Sequence, residues 1–186
     1  QDSLILNLLT EDNLPSYHTE IATAMSRDGA WNTWINRWTA EEARHGIVIR
    51  DYLMATRGVD PNELEDLRMA HMTAGYQTPY ENDMLHTVSY VTFQELATRI
   101  SHRNTGRISN DQTCEGMLAR VALDENLHML FYRNLLGAAL DLEPNAAMIA
   151  IKDVVTNFQM PGAGMPGWGR KSVQIALAGI YDPKSH

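Results

Sequence analysis

Two Glu-x-x-His motifs occur in the sequence, one formed by Glu42 and His45 and the other by Glu125 and His128. If both segments are helical, residues three positions apart share one helix face, so each pair of side chains can approach the same point. Carboxylate oxygens and imidazole nitrogens are common ligands of transition metals. One such motif alone is weak evidence, because Glu and His side chains on helices are usually solvated.

Two further glutamates stand at matching distances upstream of the motifs. Glu11 lies 31 residues before Glu42, and Glu95 lies 30 residues before Glu125. The resulting order, Glu, Glu-x-x-His, Glu, Glu-x-x-His, is that of a carboxylate-bridged di-iron or di-manganese site in a helical bundle. Four ionised carboxylates in an apolar interior are very costly without counter-charge. Two divalent cations would neutralise them, and one histidine per metal favours iron or manganese over zinc.

Two more acids, Glu41 and Asp124, directly precede the motif glutamates. We predict that each accepts a hydrogen bond from a ligand histidine, as carboxylates commonly do beside metal-bound imidazole. The alternative for both is an ordinary solvated charge on a helix surface. The same alternative applies to either motif alone, and only the four-part arrangement in this order outweighs it.

Helical periodicity runs through the sequence, without a convincing pair of strands. A first helix is expected over 2–27, with a kink at Pro15, whose ring clashes with the carbonyl four residues earlier. Further helices are expected over 32–57, in a short segment that begins at Pro61, and over 81–102, with Gly106 as the break after it. The next helix would be capped by Asn110 or Asp111 and continue to 140. Two more are expected over 146–158 and 170–179. Gly and Pro residues predict a loop over 160–169. Four long helices would form the core of a single all-α domain covering 1–186.

Length and composition limit the class of protein. The 186 residues, 44% of them hydrophobic and 20% charged, suit one globular domain. The formal net charge of −8 argues against broad nucleic-acid binding. No stretch approaches the about 18 apolar residues of a transmembrane segment and no signal peptide is visible, which predicts a soluble, cytoplasmic protein. The single cysteine, Cys114, lies in a helical apolar pattern and is expected to be a buried thiol.

Four segments together carry a family resemblance. They are TEDNLPSYH (10–18), WTAEEARHG (38–46), TFQELATRISHRNT (92–105) and ALDENLH (122–128). The second and fourth are similar to the two iron-binding motifs of the soluble acyl-acyl-carrier-protein desaturases, especially the mycobacterial type, and the other two resemble that family's remaining ligand helices. The resemblance covers about residues 1–160 and implies a ferritin-like four-helix bundle in a bacterial protein.

The resemblance assigns roles to particular residues. It implies that two iron ions, with manganese as a substitute, are held by Glu11, Glu42, His45, Glu95, Glu125 and His128. It places Thr98 beside the oxygen-binding face of the cluster, and Trp38, Gln94 and Ser101 around the cluster and a substrate channel. Without the family, Thr98 is simply a helix hydroxyl bonded to a backbone carbonyl and Trp38 is a core residue.

The reaction implied by the resemblance is oxygen-dependent insertion of a cis double bond into an acyl chain on acyl carrier protein. Electrons would come from a reduced ferredoxin, and the enzyme would be a homodimer. Channel depth and shape would set the bond position, because methylene groups offer nothing polar to grip. Compared with the family, the chain is expected to lack the N-terminal region and much of the C-terminal helical end. Asn126 and Leu127 stand where the plant enzymes have two basic residues.

An acidic carrier protein needs a basic face to dock on. Arg99, Arg103 and Arg107 recur at i, i+4 and i+8, with His102 between them, and form the candidate docking stripe. A solvated helix face is the alternative explanation for such a stripe.

Other functions stay open on the sequence alone. A ribonucleotide reductase small subunit has similar ligands but typically needs a tyrosine one turn beyond the first histidine, where Ile49 stands. A multicomponent hydrocarbon monooxygenase shares the ligand pattern. A ferritin-type storage or peroxide-scavenging protein does not require the elements near Pro61 and Pro144. The last alternative is a desaturase-like protein with an incomplete metal site and no activity.

Overall fold

The computed structural model describes residues 1–76, 78, 80, 83–165 and 167–185, and every regular element in these ranges is a helix. In chain order the helices are α1 Asp2–Asp12, α2 Leu14–Met25, α3 Gly29–Ala55, α4 Pro61–Ala74, α5 Met84–Ile108, α6 Gln112–Leu142, α7 Pro144–Asn157 and α8 Trp168–Leu177, followed by a 3₁₀ turn at Pro183–Ser185. The predicted all-α fold is confirmed. None of the described helices has an apolar stretch long enough to span a bilayer.

Four long helical segments form the bundle: α1 continued by α2, then α3, α5 and α6. The most extensive packing is between α5 and α6, and α3 packs mainly on α1 and α2. Helix α3 spans two apolar clusters: Trp38, in its first half, belongs to one cluster, and Ile49, further along, belongs to the second. Helix α6 runs the other way, from Leu118 in the second cluster to Tyr132 in the first. The Glu-x-x-His motif of each helix therefore lies between the two clusters, at mid-bundle.

The kink predicted at Pro15 is a complete break between two helices. Helix α1 ends at Asp12, and Asn13 separates it from α2, which begins at Leu14. Pro15 then occupies the first turn of α2, where its missing N–H needs no intrahelical acceptor. The break leaves Glu11 in the last turn of α1.

The break predicted at Gly106 is wrong, because α5 continues to Ile108. A Cβ atom at position 106 would lie 3.2 Å from Cα of Glu115 and 3.3 Å from Cβ of Leu118. Gly106 therefore allows the backbones of α5 and α6 to approach closely, and it does not end the helix. The chain reverses just after Ile108.

The N-terminal cap of α6 is Asp111, one of the two predicted caps, whose Oδ1 accepts the backbone N–H of Cys114 at 2.7 Å. Cys114 itself is fully buried, as predicted. The expected start of the preceding long helix at Glu81 lies outside the described residues. As described, α5 begins at Met84 and is capped by Asp83.

Candidate metal centre

Six side chains from the four bundle segments converge at mid-bundle, and their ligand atoms form two groups. Within each group the atoms lie within 4.8 Å of one another. The groups are Glu11, Glu42, His45 and Glu125, and Glu42, Glu95, Glu125 and His128. Glu42 and Glu125 belong to both groups, so they are placed to bridge two cations. We call the Glu11 and His45 side the first position and the Glu95 and His128 side the second position.

The i, i+3 spacing turns both histidines toward the shared glutamates. Nδ1 of His45 lies 3.1 Å from Oε2 of Glu42 and 3.4 Å from Oε1 of Glu125. Nδ1 of His128 lies 2.8 Å from Oε1 of Glu42 and 3.6 Å from Oε2 of Glu95. In both rings Nδ1 therefore faces the carboxylates and Nε2 faces outward.

The outward nitrogens of the two histidines meet the acids that precede the opposite motif. Nε2 of His45 lies 3.3 Å from Oδ2 of Asp124, and Nε2 of His128 lies 3.0 Å from Oε2 of Glu41. A proton held on Nε2 by such a carboxylate leaves Nδ1 free to bind a metal. The contacts predicted for Glu41 and Asp124 are present, and each crosses between α3 and α6.

Several buried polar atoms of the centre have no hydrogen-bond partner among the described residues: Oε1 of Glu42, Oε2 of Glu95, both carboxylate oxygens of Glu125 and Nδ1 of His128. Glu95 and Glu125 are each only 1% exposed. Leaving a buried polar group unpaired costs about 1–3 kcal/mol, and more when it is charged. Cations at the two positions would give these atoms partners, so the residues fit a pair of metal ions.

Without a cation, protons must balance the clustered charge. Burial and the neighbouring Glu125 carboxylate raise the pKa of Glu42. Burial, with the charges of Glu125 and Glu42, raises the pKa of Glu95 well above its usual value. Burial opposes protonation of His128, but the adjacent Glu42 and Glu95 carboxylates outweigh it and raise its pKa to about 12. Metal ions and protons therefore compete for the same atoms.

A largely apolar cavity reaches Glu11 and Glu42 from one side of the bundle. Trp38 and Gln94, two of the three residues expected around a substrate channel, line its wall, and Thr98 lines it as well. Trp38 donates its indole N–H to Oε1 of Glu95 at 3.1 Å, so it is both a core residue and a partner of the site. Thr98 donates its hydroxyl to the backbone carbonyls of Gln94 and Glu95, at 3.2 and 3.1 Å.

Ser101 lies on a second cavity instead of the first. Thr10, Thr98 and Met160 line both cavities, which therefore adjoin beside the centre. The Ser101 hydroxyl donates to Oδ1 of Asn7 at 3.3 Å. Met160 belongs to the segment that follows α7, so a residue outside the four bundle segments closes part of both cavities.

The arginine stripe lies on the outside of α5. Arg99 and Arg107 are exposed, whereas Arg103 is half-buried and its Nη1 lies 3.5 Å from Oε1 of Glu115. His102 is not part of this stripe, since it is buried and faces the bundle interior. The sequence-based grouping of His102 with the arginines is therefore corrected.

Sequence reasoning missed the position of His102. Its Nε2 lies 3.0 Å from Oε1 of Glu11. Burial alone would raise the pKa of Glu11, but the hydrogen bond from His102 and the nearby His45 imidazole hold it below its usual value. A signal was present in the sequence, because His102 follows Glu95 by seven residues, or two helical turns, and so shares its face.

Sequence reasoning also missed two aromatic residues beside His128. The ring of Trp34 lies edge-on to the imidazole, with centroids 6.2 Å apart. Its indole N–H donates to the hydroxyl of Tyr132 at 3.2 Å, and Tyr132 is fully buried. Trp34 therefore packs on the imidazole of His128 and is itself held by Tyr132.

Known proteins resemble the chain along nearly all of its length. The chain is 53% identical to the acyl-[acyl-carrier-protein] desaturase DesA1 of Mycobacterium tuberculosis, over 100% of this chain and 57% of that protein. It is 31% identical to the chloroplastic stearoyl-[acyl-carrier-protein] 9-desaturase 4 of Arabidopsis thaliana, over 82% of this chain and 40% of that protein. The X-ray structure of the acyl-ACP desaturase DesA2 of Mycobacterium tuberculosis superposes with a TM-score of 0.73 at 28% identity, covering 97% of this chain and 67% of that one.

The chain thus spans little more than half the length of DesA1. A family model described as fatty acid desaturase matches residues 2–186. Together with the bundle and its paired carboxylates, this match assigns the family. The chain belongs to the fatty acid desaturase family.

Proposed function

We propose that this chain forms the catalytic core of an acyl-acyl-carrier-protein desaturase. It would hold two iron ions, use O2 to insert a cis double bond into a carrier-linked acyl chain, and receive electrons from a ferredoxin-type donor. The observation that supports this most strongly is the sharing of Glu42 and Glu125 by two ligand groups, directly beside a largely apolar cavity. The cavity suits an aliphatic chain, and the ligand groups suit two cations.

Each position would hold one iron ion, with its own ligands and two shared ones. Glu11 and His45 would bind the first ion, Glu95 and His128 the second, and Glu42 and Glu125 would bridge them. When bound, the iron pair would supply the oxygen-activating redox chemistry that protein side chains cannot perform. Glu41 and Asp124 would keep both imidazoles oriented by holding their outward N–H groups.

The cavity residues would place the acyl chain and exclude water. Leu14, Ile21 and Val91 give the cavity an apolar wall beyond the two glutamates. A methylene chain offers no polar group for recognition, so the shape of the cavity would decide which carbons lie next to the metals. Thr98, which lines both cavities, would stand at the point where the chain passes the centre.

Three partners belong to this proposal. An acidic carrier protein would dock on the α5 stripe, for which the exposed Arg99 and Arg107 supply positive charge. The ferredoxin-type donor and a second copy of the chain, as in a homodimer, are expected from the family. Family membership removes the ferritin, ribonucleotide reductase and monooxygenase alternatives. The remaining alternative is a desaturase-like protein with an incomplete metal site, and an experiment must distinguish it from an active desaturase.

The test is product analysis. The iron-loaded protein is incubated with a saturated acyl chain on acyl carrier protein, reduced ferredoxin and O2, and the released acyl chains are analysed by gas chromatography and mass spectrometry. We expect a mono-unsaturated product that disappears when O2 or ferredoxin is omitted. The matched control is Glu125→Gln, which alters one bridging oxygen and should abolish the product. Iron-loaded wild-type protein that forms no unsaturated chain would contradict the proposal.

A further inference from the structure

A third histidine, His102 of α5, lies against the carboxylates of the first position but belongs to neither ligand group. It is 1% exposed. Its Nε2 lies 3.0 Å from Oε1 of Glu11 and 3.6 Å from Oε1 of Glu125. Because the ring is excluded from water, both of its nitrogens depend on protein partners.

The partner of the other ring nitrogen decides where the proton lies. Nδ1 of His102 is 3.2 Å from Nδ2 of Asn7, and an amide nitrogen can only donate. Nδ1 therefore accepts, and the proton of the neutral ring lies on Nε2, facing Glu11. In the same orientation of the Asn7 amide, its Oδ1 accepts the hydroxyl of Ser101 at 3.3 Å. One directed chain of hydrogen bonds thus runs from Ser101 through Asn7 and His102 to Glu11.

The hydrogen bond gives the two oxygens of Glu11 different environments. Oε1 is held by His102, while Oε2 lies 3.8 Å from Nδ1 of His45. The second position has a counterpart, since Oε1 of Glu95 accepts the indole N–H of Trp38. Each outer glutamate therefore receives one ring N–H, from an imidazole on the first side and from an indole on the second.

We propose that His102, held by Asn7, is a positioning residue that turns Glu11 so that Oε2 is its metal-binding oxygen at the first position. The inference rests on the proposed metal centre and adds to it a residue that touches no ion. Its consequence is asymmetric: loss of the His102 hydrogen bond weakens the first position and leaves the second as it was. A residue that served only to pack α5 on α1 would not distinguish the two positions.

The test is a stepwise titration of metal-free protein with cobalt(II), followed by the visible absorption of the bound ion. His102→Leu removes both ring nitrogens. His102→Gln keeps an N–H that can reach Glu11. The matched control, Thr105→Val, removes the 2.8 Å hydrogen bond between Ser3 and Thr105, which joins the same two helices about one turn further along α5.

For His102→Leu we expect affinity at one position to fall by about 10- to 100-fold, with a changed absorption spectrum, and the other position to be unaffected. His102→Gln should restore most of the lost affinity, and Thr105→Val should bind both ions as wild type does. Three results would overturn the inference about His102 but not the proposed metal centre. They are unchanged affinity in His102→Leu, equal loss of affinity at both positions, and the same loss in Thr105→Val. Wild-type protein that binds fewer than two cobalt ions would overturn the proposed metal centre as well.

Discussion

Glu41 on α3 accepts a hydrogen bond from Nε2 of His128 on α6, at 3.0 Å. The reciprocal contact, from His45 on α3 to Asp124 on α6, is 3.3 Å long. Helix α3 packs mainly on α1 and α2, and these crossed contacts, together with the hydrogen bond from Trp34 to Tyr132, join it to α6. The candidate metal centre therefore also links α3 with α6.

The crossed contacts predict that two similar substitutions weaken metal binding at different positions. Glu41→Ala should weaken metal binding at the second position, because it frees the His128 ring, and Asp124→Ala should weaken the first position through His45. Loss of such a partner typically reduces metal affinity by about 10- to 100-fold. Stepwise cobalt titration measures both positions, and each variant is the control for the other. Weakening of the same position in both variants would contradict the crossed arrangement.

Metal removal should make stability depend on pH. In the metal-free protein the pKa of His128 is raised to about 12 from 6.5, and that of Glu95 is also raised. The folded state then binds more protons than the unfolded state, so the free energy of unfolding falls as pH rises. The contribution of His128 is complete below pH 6.5 and is lost as pH rises toward 12.

Thermal unfolding at a series of pH values between about 6.5 and 9 checks this prediction, with the histidine reference value as the lower limit. The melting temperature of the metal-free protein should fall across the series. The metal-loaded protein should show a much smaller change, because metal replaces the protons. A metal-free protein whose melting temperature is constant or rises over this range would show that the cluster does not hold the extra protons.

The cavity should set the acyl chain length. Val91 lines it on α5, and Val91→Phe should fill its apolar part and shift preference toward shorter carrier-linked chains. Val88→Phe is the matched control, because Val88 is buried in the same apolar cluster and does not line that cavity. Either enlargement should destabilise by about 1–3 kcal/mol. Turnover over a graded series of chain lengths gives the answer, and the same shift in both variants would indicate overpacking instead of cavity shape.

The docking stripe predicts a change in KM. Arg99→Glu and Arg107→Glu should each raise KM for carrier-linked substrate with little effect on kcat, since only uniform binding is lost. The same KM should become less sensitive to salt. Arg133→Glu, an exposed arginine in the later part of α6, is the control with equal charge change. A fall in kcat at unchanged KM would place these arginines in the chemistry of the centre instead of in docking.

The convergence of the six candidate ligand residues could be predicted from the sequence because their pattern is local to each helix. A spacing of three on a helix fixes a shared face, and the order of Glu11, Glu42, Glu95 and Glu125 assigns one contribution to each bundle segment. Those two rules require no knowledge of how the segments pack. The same rules located Glu41 and Asp124 beside the histidines, although not which histidine each would meet.

Tertiary packing accounts for what the sequence did not reveal. His102 stands between arginines, and only the register set by Glu95 turns it inward. Gly106 has the local propensity to end a helix, but close packing on Glu115 keeps α5 continuous. Met160 lies in an irregular segment without periodicity, so its place on both cavities could not be predicted.

The most direct test of the metal centre is iron content per chain. Elemental analysis and quantitative protein assay of iron-loaded wild-type protein should give two iron ions per chain. Because Glu42 and Glu125 are shared by both positions, Glu42→Gln and Glu125→Gln should each lose iron from both, while the control Thr105→Val should keep two. Wild-type protein with one iron ion or none, or bridging variants that still retain two, would contradict the account.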